Sequence, residues 1–196
     1  GIAVGDKPKA LIETLSEDLL DTFQKAKLLD PYDVYQHMMN YWSETMQDDV
    51  YMLVQEGWKA VLDGKPNTDL IPENLIVCRF FAAEQQDIEK LEADRDAITR
   101  QIEELDEEHG SEDGLLVDAK TEKGKLTKVS VKARLTEIED DADAKDERKL
   151  LEEYFALVDK EYASNKEVKD ARKALEAKVI AKYAKLSENE IKSLVG

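Results

Sequence analysis

Ile88, Leu91, Ile98, Ile102 and Leu105 follow one another on alternating steps of three and four residues, with Arg95 in the one interrupted place. The residues between them are almost all charged. A strand cannot carry this pattern, because its faces alternate every second residue. The spacing dictates a helix, about three heptads long, that buries one stripe against another helix. His109-Gly110 supplies its stop. The same step returns at Leu150, Tyr154, Leu157, Ser164, Val168, Ala171 and Leu175, with Glu161 in one seam place.

Charge decides how the two segments pair. Residues 82–109 carry 11 acids and 3 bases, a net of −8, whereas residues 150–196 carry nine of each. Two copies of the first helix side by side would set like charges along the seam, so a parallel homodimer is disfavoured. A neutral, lysine-bearing helix is the better neighbour. The fold expected is therefore mainly α: a helical subdomain over 1–81, then a long antiparallel, coiled-coil-like hairpin over 82–186. A tip insertion occupies 110–149, and 187–196 begin a further helix.

In the first segment, Pro8 opens an amphipathic stretch whose Leu11, Leu15, Leu19 and Phe23 share a face. Asp30 caps a second helix with Pro31 at its first position, along which Val34, Met38, Tyr41, Trp42 and Met46 recur. The run Val50-Tyr51-Met52-Leu53-Val54, ending at Gly57, reads as a strand or a tight buried segment. Residues 63–67, Asp-Gly-Lys-Pro-Asn, read as a loop. In the tip, Leu115-Leu116-Val117 form a helical turn or a strand. Thr127 caps a short helix with Val131, Leu135 and Ile138 on one side. Lys120, Lys123, Lys125, Lys128, Lys132 and Arg134 face only Glu122, a local +5. That cluster is either a solubilising loop or a contact for phosphates or an acidic partner. It lacks the interleaved aromatics that base stacking needs.

The chain's net charge of −17 argues against phosphate binding over a broad face and leaves only local basic patches open, so direct DNA contact is not expected. Cys78 is the one cysteine, which rules out an internal disulfide and a Cys-rich zinc site. Its place in the apolar run 75–81 reads as a buried, inert thiol. No stretch approaches the ~20 apolar residues of a membrane span and no signal peptide is visible, so the cytoplasm is expected. The start at Gly1 and the stop just inside a helix read as a piece of a longer protein.

No active site is legible. No two glycines are separated by a single residue, so a dinucleotide or methyl-donor loop is missing, and no phosphate-binding Gly-Lys-Ser/Thr loop exists. His37 and His109 are far apart, and His37 among Met38, Met39 and Tyr41 reads as a helix histidine. Asp141 and Asp143 suggest a calcium loop, but Lys145 and Asp146 occupy the places that need an oxygen ligand and a glycine. Asp30-Pro31-Tyr32 approaches the Asp/Asn-Pro-Pro-aromatic motif of amino-methylating enzymes, without the second proline, and reads as a helix cap. Catalytic, cofactor and metal residues are expected to be absent.

Two stretches are familiar. Asp33-Val34-Tyr35-Gln36-His37-Met38-Met39, Tyr41-Trp42, Glu44-Thr45-Met46-Gln47-Asp48-Asp49-Val50-Tyr51 and Gly57-Trp58-Lys59 resemble the modification (M) subunit of type I restriction–modification enzymes. So do Asp69-Leu70-Ile71-Pro72, Leu75-Ile76-Val77 and Arg79-Phe80-Phe81, then the acidic helix ending Glu107-Glu108-His109-Gly110. Residues 123–128, Lys-Gly-Lys-Leu-Thr-Lys, and 181–187, Ala-Lys-Tyr-Ala-Lys-Leu-Ser, continue it. The resemblance implies the C-terminal part of a DNA adenine-N6 methyltransferase subunit that uses S-adenosylmethionine, whose cofactor loop and Asn-Pro-Pro-aromatic motif lie upstream. No catalytic residue maps onto this chain, and the piece alone is expected to be inactive. The implied partner is the DNA-specificity subunit and, through it, the restriction subunit and DNA.

The interface expected for that partner comprises Ile88, Leu91, Ile98, Ile102 and Leu105 with Leu157, Val168, Leu175 and Val179. A hairpin buries one stripe of each helix, which leaves Leu175 and Val179 for a third or fourth. A free-standing acidic coiled-coil adaptor or chaperone with no link to DNA is the alternative. An acidic DNA mimic is argued against by the 28 Lys and Arg residues.

Overall fold

The computed structural model describes residues 2–24, 30–111 and 113–195. It is mainly helical, with 73% of the chain in helices. The chain runs through α1 (Pro8–Phe23), α2 (Pro31–Tyr41), a π-helical turn (Trp42–Met46) and α3 (Gln47–Glu56). Next come the short strands β1 (Val61–Leu62) and β2 (Lys65–Pro66), then α4 (Glu73–Phe80) and α5 (Ala82–His109). A 3-10 turn (Val117–Ala119), α6 (Lys128–Glu137), α7 (Lys145–Tyr183) and α8 (Glu188–Val195) complete it. It divides into two compact units, residues 1–78 with 179–196, and residues 79–178.

In the first unit the helix starts are set by local chemistry. Pro8 is the first residue of α1. Asp30 caps α2, its Oδ1 accepting the Tyr32 N–H at 2.8 Å. The second helix does not run evenly to Met46: it widens into the π-turn at Trp42 and resumes as α3. The run 50–54, read as a strand or buried segment, lies inside α3, where Val50 and Leu53 are buried while Tyr51 is exposed. A short apolar run has no period of its own that separates helix from strand. Gly57 ends α3 at φ 75°, its N–H donating to Leu53 O at 2.9 Å. A Cβ there would also lie 2.9 Å from the Val4 side chain.

The loop read at 63–67 is the turn of a two-residue antiparallel hairpin pairing Val61 with Pro66 and Leu62 with Lys65. Asp63 and Gly64 both take positive φ, as a tight Asp-Gly hairpin turn requires. The reading of Cys78 as a buried thiol fails on helical phase. Cys78 is exposed, because α4 buries Ile76 and two further residues carry the chain around to the opposite side. Leu15 and Tyr41 also face solvent.

Residues 179–186 continue the hairpin in sequence pattern, yet they pack with the first unit. Tyr183 is 1% exposed and its hydroxyl donates to the carbonyl of Ile71. That bond holds the end of α7 in the first unit.

The second unit is the hairpin. Lys178 donates to Glu84 at 3.0 Å, Arg172 to Glu92 at 2.8 Å, and Thr99 Oγ1 to Glu161 at 2.7 Å. Partners on α7 run backwards as α5 runs forwards, so the helices are antiparallel. At the tip, Thr127 caps α6 in a reciprocal box with Ser130. Leu115–Val117 resolve as the entry to a 3-10 turn. Leu116, Ala119, Val131, Ile138, Leu151 and Tyr154 form a buried cluster, so the insertion is a small core rather than a solvated loop.

Candidate functional site

The seam residues are buried unequally. Val168 (4%), Leu175 (8%) and Leu157 (9%) on α7 are buried, as is Ile88 on α5, whereas Leu91, Ile98, Ile102 and Leu105 are only half-buried. Ile102 and Leu105 spend their contacts on the tip core. Leu91 and Ile98 are thus α5 seam positions with apolar surface left outside that core, while Leu105 also lines an open groove near the tip. Leu175 and Val179, expected to be available to such a helix, are buried within the chain, Val179 at 3% exposure in the first unit. The residues around each seam place determine this, and heptad spacing alone cannot report it. The two polar seam places are satisfied: Arg95 bonds Asp96 at 2.6 Å and Glu161 accepts from Thr99. A lone carboxylate on an apolar stripe would otherwise be costly.

The tip cations divide into two sets. Lys120 bonds Asp106 at 2.8 Å, Lys128 pairs with Asp159 over the Phe155 ring, and Arg134 bonds Glu147 at 2.6 Å with Asp118 and Glu137 nearby. Glu147 raises the Arg134 pKa above its ordinary value, chiefly by its hydrogen bond. These three staple the tip to the hairpin. Lys123, Lys125 and Lys132 are exposed and form no ion pair among the described residues. The +5 cluster is thus half structural.

Between the two long helices, Arg172 and Lys178 of α7 pair with Glu92 and Glu84 of α5. Lys166, Lys169 and Lys173 are exposed, with no ion pair among the described residues. Their spacing, out of phase with the seam, was the signal that could have found them.

Near the tip, Glu104, Glu107, Glu108 and Glu153 line a groove over Leu105 and Leu157. A second groove, farther along the stem, is lined by Arg95, Lys169, Arg172, Lys173 and Glu176. In the first unit, a cavity of about 160 Å³ is lined by Met46, Val50, Leu53 and Leu70, with Asp49 and Asp69 beside them. Among the described residues, no three His, Cys, Asp or Glu side chains are grouped to hold a metal ion. Nor is any described helix long and apolar enough to cross a membrane. His37 is exposed on α2, and Asp141 accepts the Asp143 N–H at 2.9 Å in an exposed turn.

The start of α8 is held by a charged cap. Glu190 accepts the Ser187 N–H at 2.9 Å, its hydroxyl at 2.8 Å and Lys182 Nζ at 3.1 Å. The Ser187 backbone bond leads in holding its carboxyl at about 2, far below the ordinary 4.5. A carboxylate depressed on folding contributes stability that is present above 4.5 and lost as pH falls through about 2. Carbon-detected NMR titration of Glu190 is expected to give a midpoint near 2. A midpoint near 4.5 would mean that the cap does not persist in solution.

Compared with protein-family models, with curated proteins and with solved structures, the chain matches none.

Proposed function

We propose that this chain is the C-terminal assembly module of the M subunit of a type I restriction–modification enzyme, and that its hairpin docks helices of the DNA-specificity subunit. The parent subunit would methylate adenine N6 of DNA with S-adenosylmethionine, and no residue of this chain is assigned a catalytic or cofactor role. The specificity subunit would link it to the restriction subunit and to DNA. The observation that carries the reading is the unequal seam. Leu91 and Ile98 of α5 are half-buried while Leu157, Val168 and Leu175 of α7 are buried, so α5 retains apolar surface of the kind a third helix covers. The resemblance through residues 33–59 and 69–81 supplies the partner's identity.

The test is co-purification with the specificity subunit. Leu91→Ala and Ile98→Ala are expected to cost less than the ~2 kcal/mol that opens the range for fully buried sites, because neither side chain is fully buried. They should weaken assembly at least about tenfold, roughly 1.4 kcal/mol. Lys123→Glu, Lys125→Glu and Lys132→Glu together should leave assembly intact. Loss of assembly in the lysine variant with retention in the seam variants would place the interface at the tip. Failure of the unmodified chain to bind would favour the free-standing adaptor.

A further inference from the structure

Between α5 and α7, near the tip, an open groove of about 500 Å³ has an apolar floor and an acidic rim. Leu105, Ala156 and the buried Leu157 form the floor, and Glu104, Glu107, Glu108 and Glu153 stand around it. Lys160 is the one cation among the described lining residues. It lies toward the stem, since its neighbour Glu161 meets Thr99. The acidity of this groove is not merely the average of an acidic chain. The stem groove of the same unit sets Arg95, Lys169, Arg172 and Lys173 against Glu176, and a groove along α6 is lined by Lys128 and Lys132 without an acid. Nor do the four carboxylates converge on a point, because among the described residues no three acidic, His or Cys side chains are grouped to hold a metal ion. They are spread along the stretch from Gln101 to Glu108, over which α5 rises about 10 Å. Glu107 and Glu108 also stand in the last turn of α5, where the helix dipole disfavours acids. Glu108 lies 3.7 Å from His109, which offsets it only when protonated.

From this we infer that the groove docks a basic amphipathic helix of a partner protein, a contact that does not rest on the assembly reading above. Floor and rim each exclude a simpler occupant. A metal ion or a small polyamine has no use for the apolar floor, and an acidic helix is repelled by the rim. A helix laid between the two helices of a hairpin meets them as a further member of a bundle does. About 10 Å is roughly two turns, so two apolar side chains four residues apart on the partner cover Leu105 and Ala156. Cations flanking them at steps of three and four meet Glu104, Glu107 and Glu108 on one wall and Glu153 on the other. Arginine suits these places best, because its planar fork bonds a carboxylate through two N–H groups. The covered floor supplies affinity, whereas the rim selects the partner and speeds encounter. The partner's cations also relieve the acids that crowd the end of α5.

The test is fluorescence anisotropy of a labelled, alanine-based helical peptide that carries two leucines four residues apart, flanked by arginines. It is titrated with the full chain, beside a shuffled peptide of the same composition in which the leucines no longer share a face. The amphipathic peptide should bind at least about tenfold more tightly than the shuffled one. Glu104→Gln, Glu107→Gln, Glu108→Gln and Glu153→Gln together should weaken its binding at least about tenfold. Ala156→Arg, which sets a rival cation over the floor, should do the same. Neutralising four exposed acids elsewhere, by Glu17→Gln, Asp21→Asn, Glu167→Gln and Glu176→Gln, should leave binding within about twofold. The rim variant should melt no lower than the unmodified chain, because it removes acids from a helix end. The inference is overturned if the amphipathic peptide does not bind, or if the shuffled peptide or the rim variant binds equally well. It is also overturned if the distant neutralisation weakens binding as much, or if spermidine displaces the peptide at equal charge concentration. Either of those outcomes would mean that the chain's negative field attracts any polycation. None of these outcomes depends on the specificity subunit.

Discussion

Leu151→Ala is expected to cost ~2–5 kcal/mol, toward the upper half of that range. Leu151 is fully buried with Leu116, Val131 and Ile138, and that core is drawn from α5, the 3-10 turn, α6 and α7. Because the insertion has little other apolar support, the cavity cannot be refilled cheaply. The staples Lys128–Asp159 and Arg134–Glu147 will not offset the loss. The first is half exposed and worth ~1 kcal/mol or less; the second is better shielded but must keep its geometry to hold. Denaturant unfolding should show the loss. Hydrogen exchange should place it first in residues 116–138, while amides of α5 around Leu91 remain protected. Uniform loss of protection through both helices would instead mean that tip and stem unfold as one.

Tyr183→Ala is expected to be comparably severe, ~3–5 kcal/mol, the range for removing a buried aromatic ring. Its side chain is 1% exposed, and its hydroxyl satisfies the Ile71 carbonyl across 112 residues of sequence. Tyr183→Phe separates the two contributions: the ring stays, and the bond to a buried acceptor is lost at ~1–3 kcal/mol. Burial raises the Tyr183 phenol above its ordinary 10.0, so the folded state favours the protonated form. That contribution is complete below pH 10.0 and declines as pH rises toward the folded value. Thermal denaturation from neutral to alkaline pH should therefore show a smaller alkaline decline in the Phe variant than in the unmodified chain. Equal declines would assign the alkaline sensitivity elsewhere, with Tyr154, also raised by burial, as the first alternative.

Much of the local structure was legible because its causes are local. Pro8, the Asp30-Pro31 pair and Thr127 each start a helix, since a cap needs only one side chain and an amide two or three residues on. His109-Gly110 ends α5 where the pattern said it would. The antiparallel hairpin was legible too, because net charge distinguishes an acidic helix's neutral partner from a copy of itself. What escaped were matters of phase and of competition between partners. Val50–Val54 were too short to show a period, and Cys78 lay in an apolar run whose helix turned it outward. Counting lysines against acids did not show which lysine would meet which acid.

The sequence by itself determined that two long helices form and that they pair antiparallel. Heptad spacing and net charge are properties of residues a few positions apart, and they act before any distant contact exists. Only the tertiary structure decided what each stripe is used for. It closed Leu175 and Val179 inside the chain, spent Ile102 and Leu105 on the tip core, and left Leu91 and Ile98 half open. It consumed Lys120, Lys128 and Arg134 in staples and left Lys166, Lys169 and Lys173 without partners among the described residues. The reason is physical: burial and ion pairing depend on which distant segment arrives at a site, as Ile71 does at Tyr183 and Asp159 at Lys128, and spacing along one helix carries no record of that arrival.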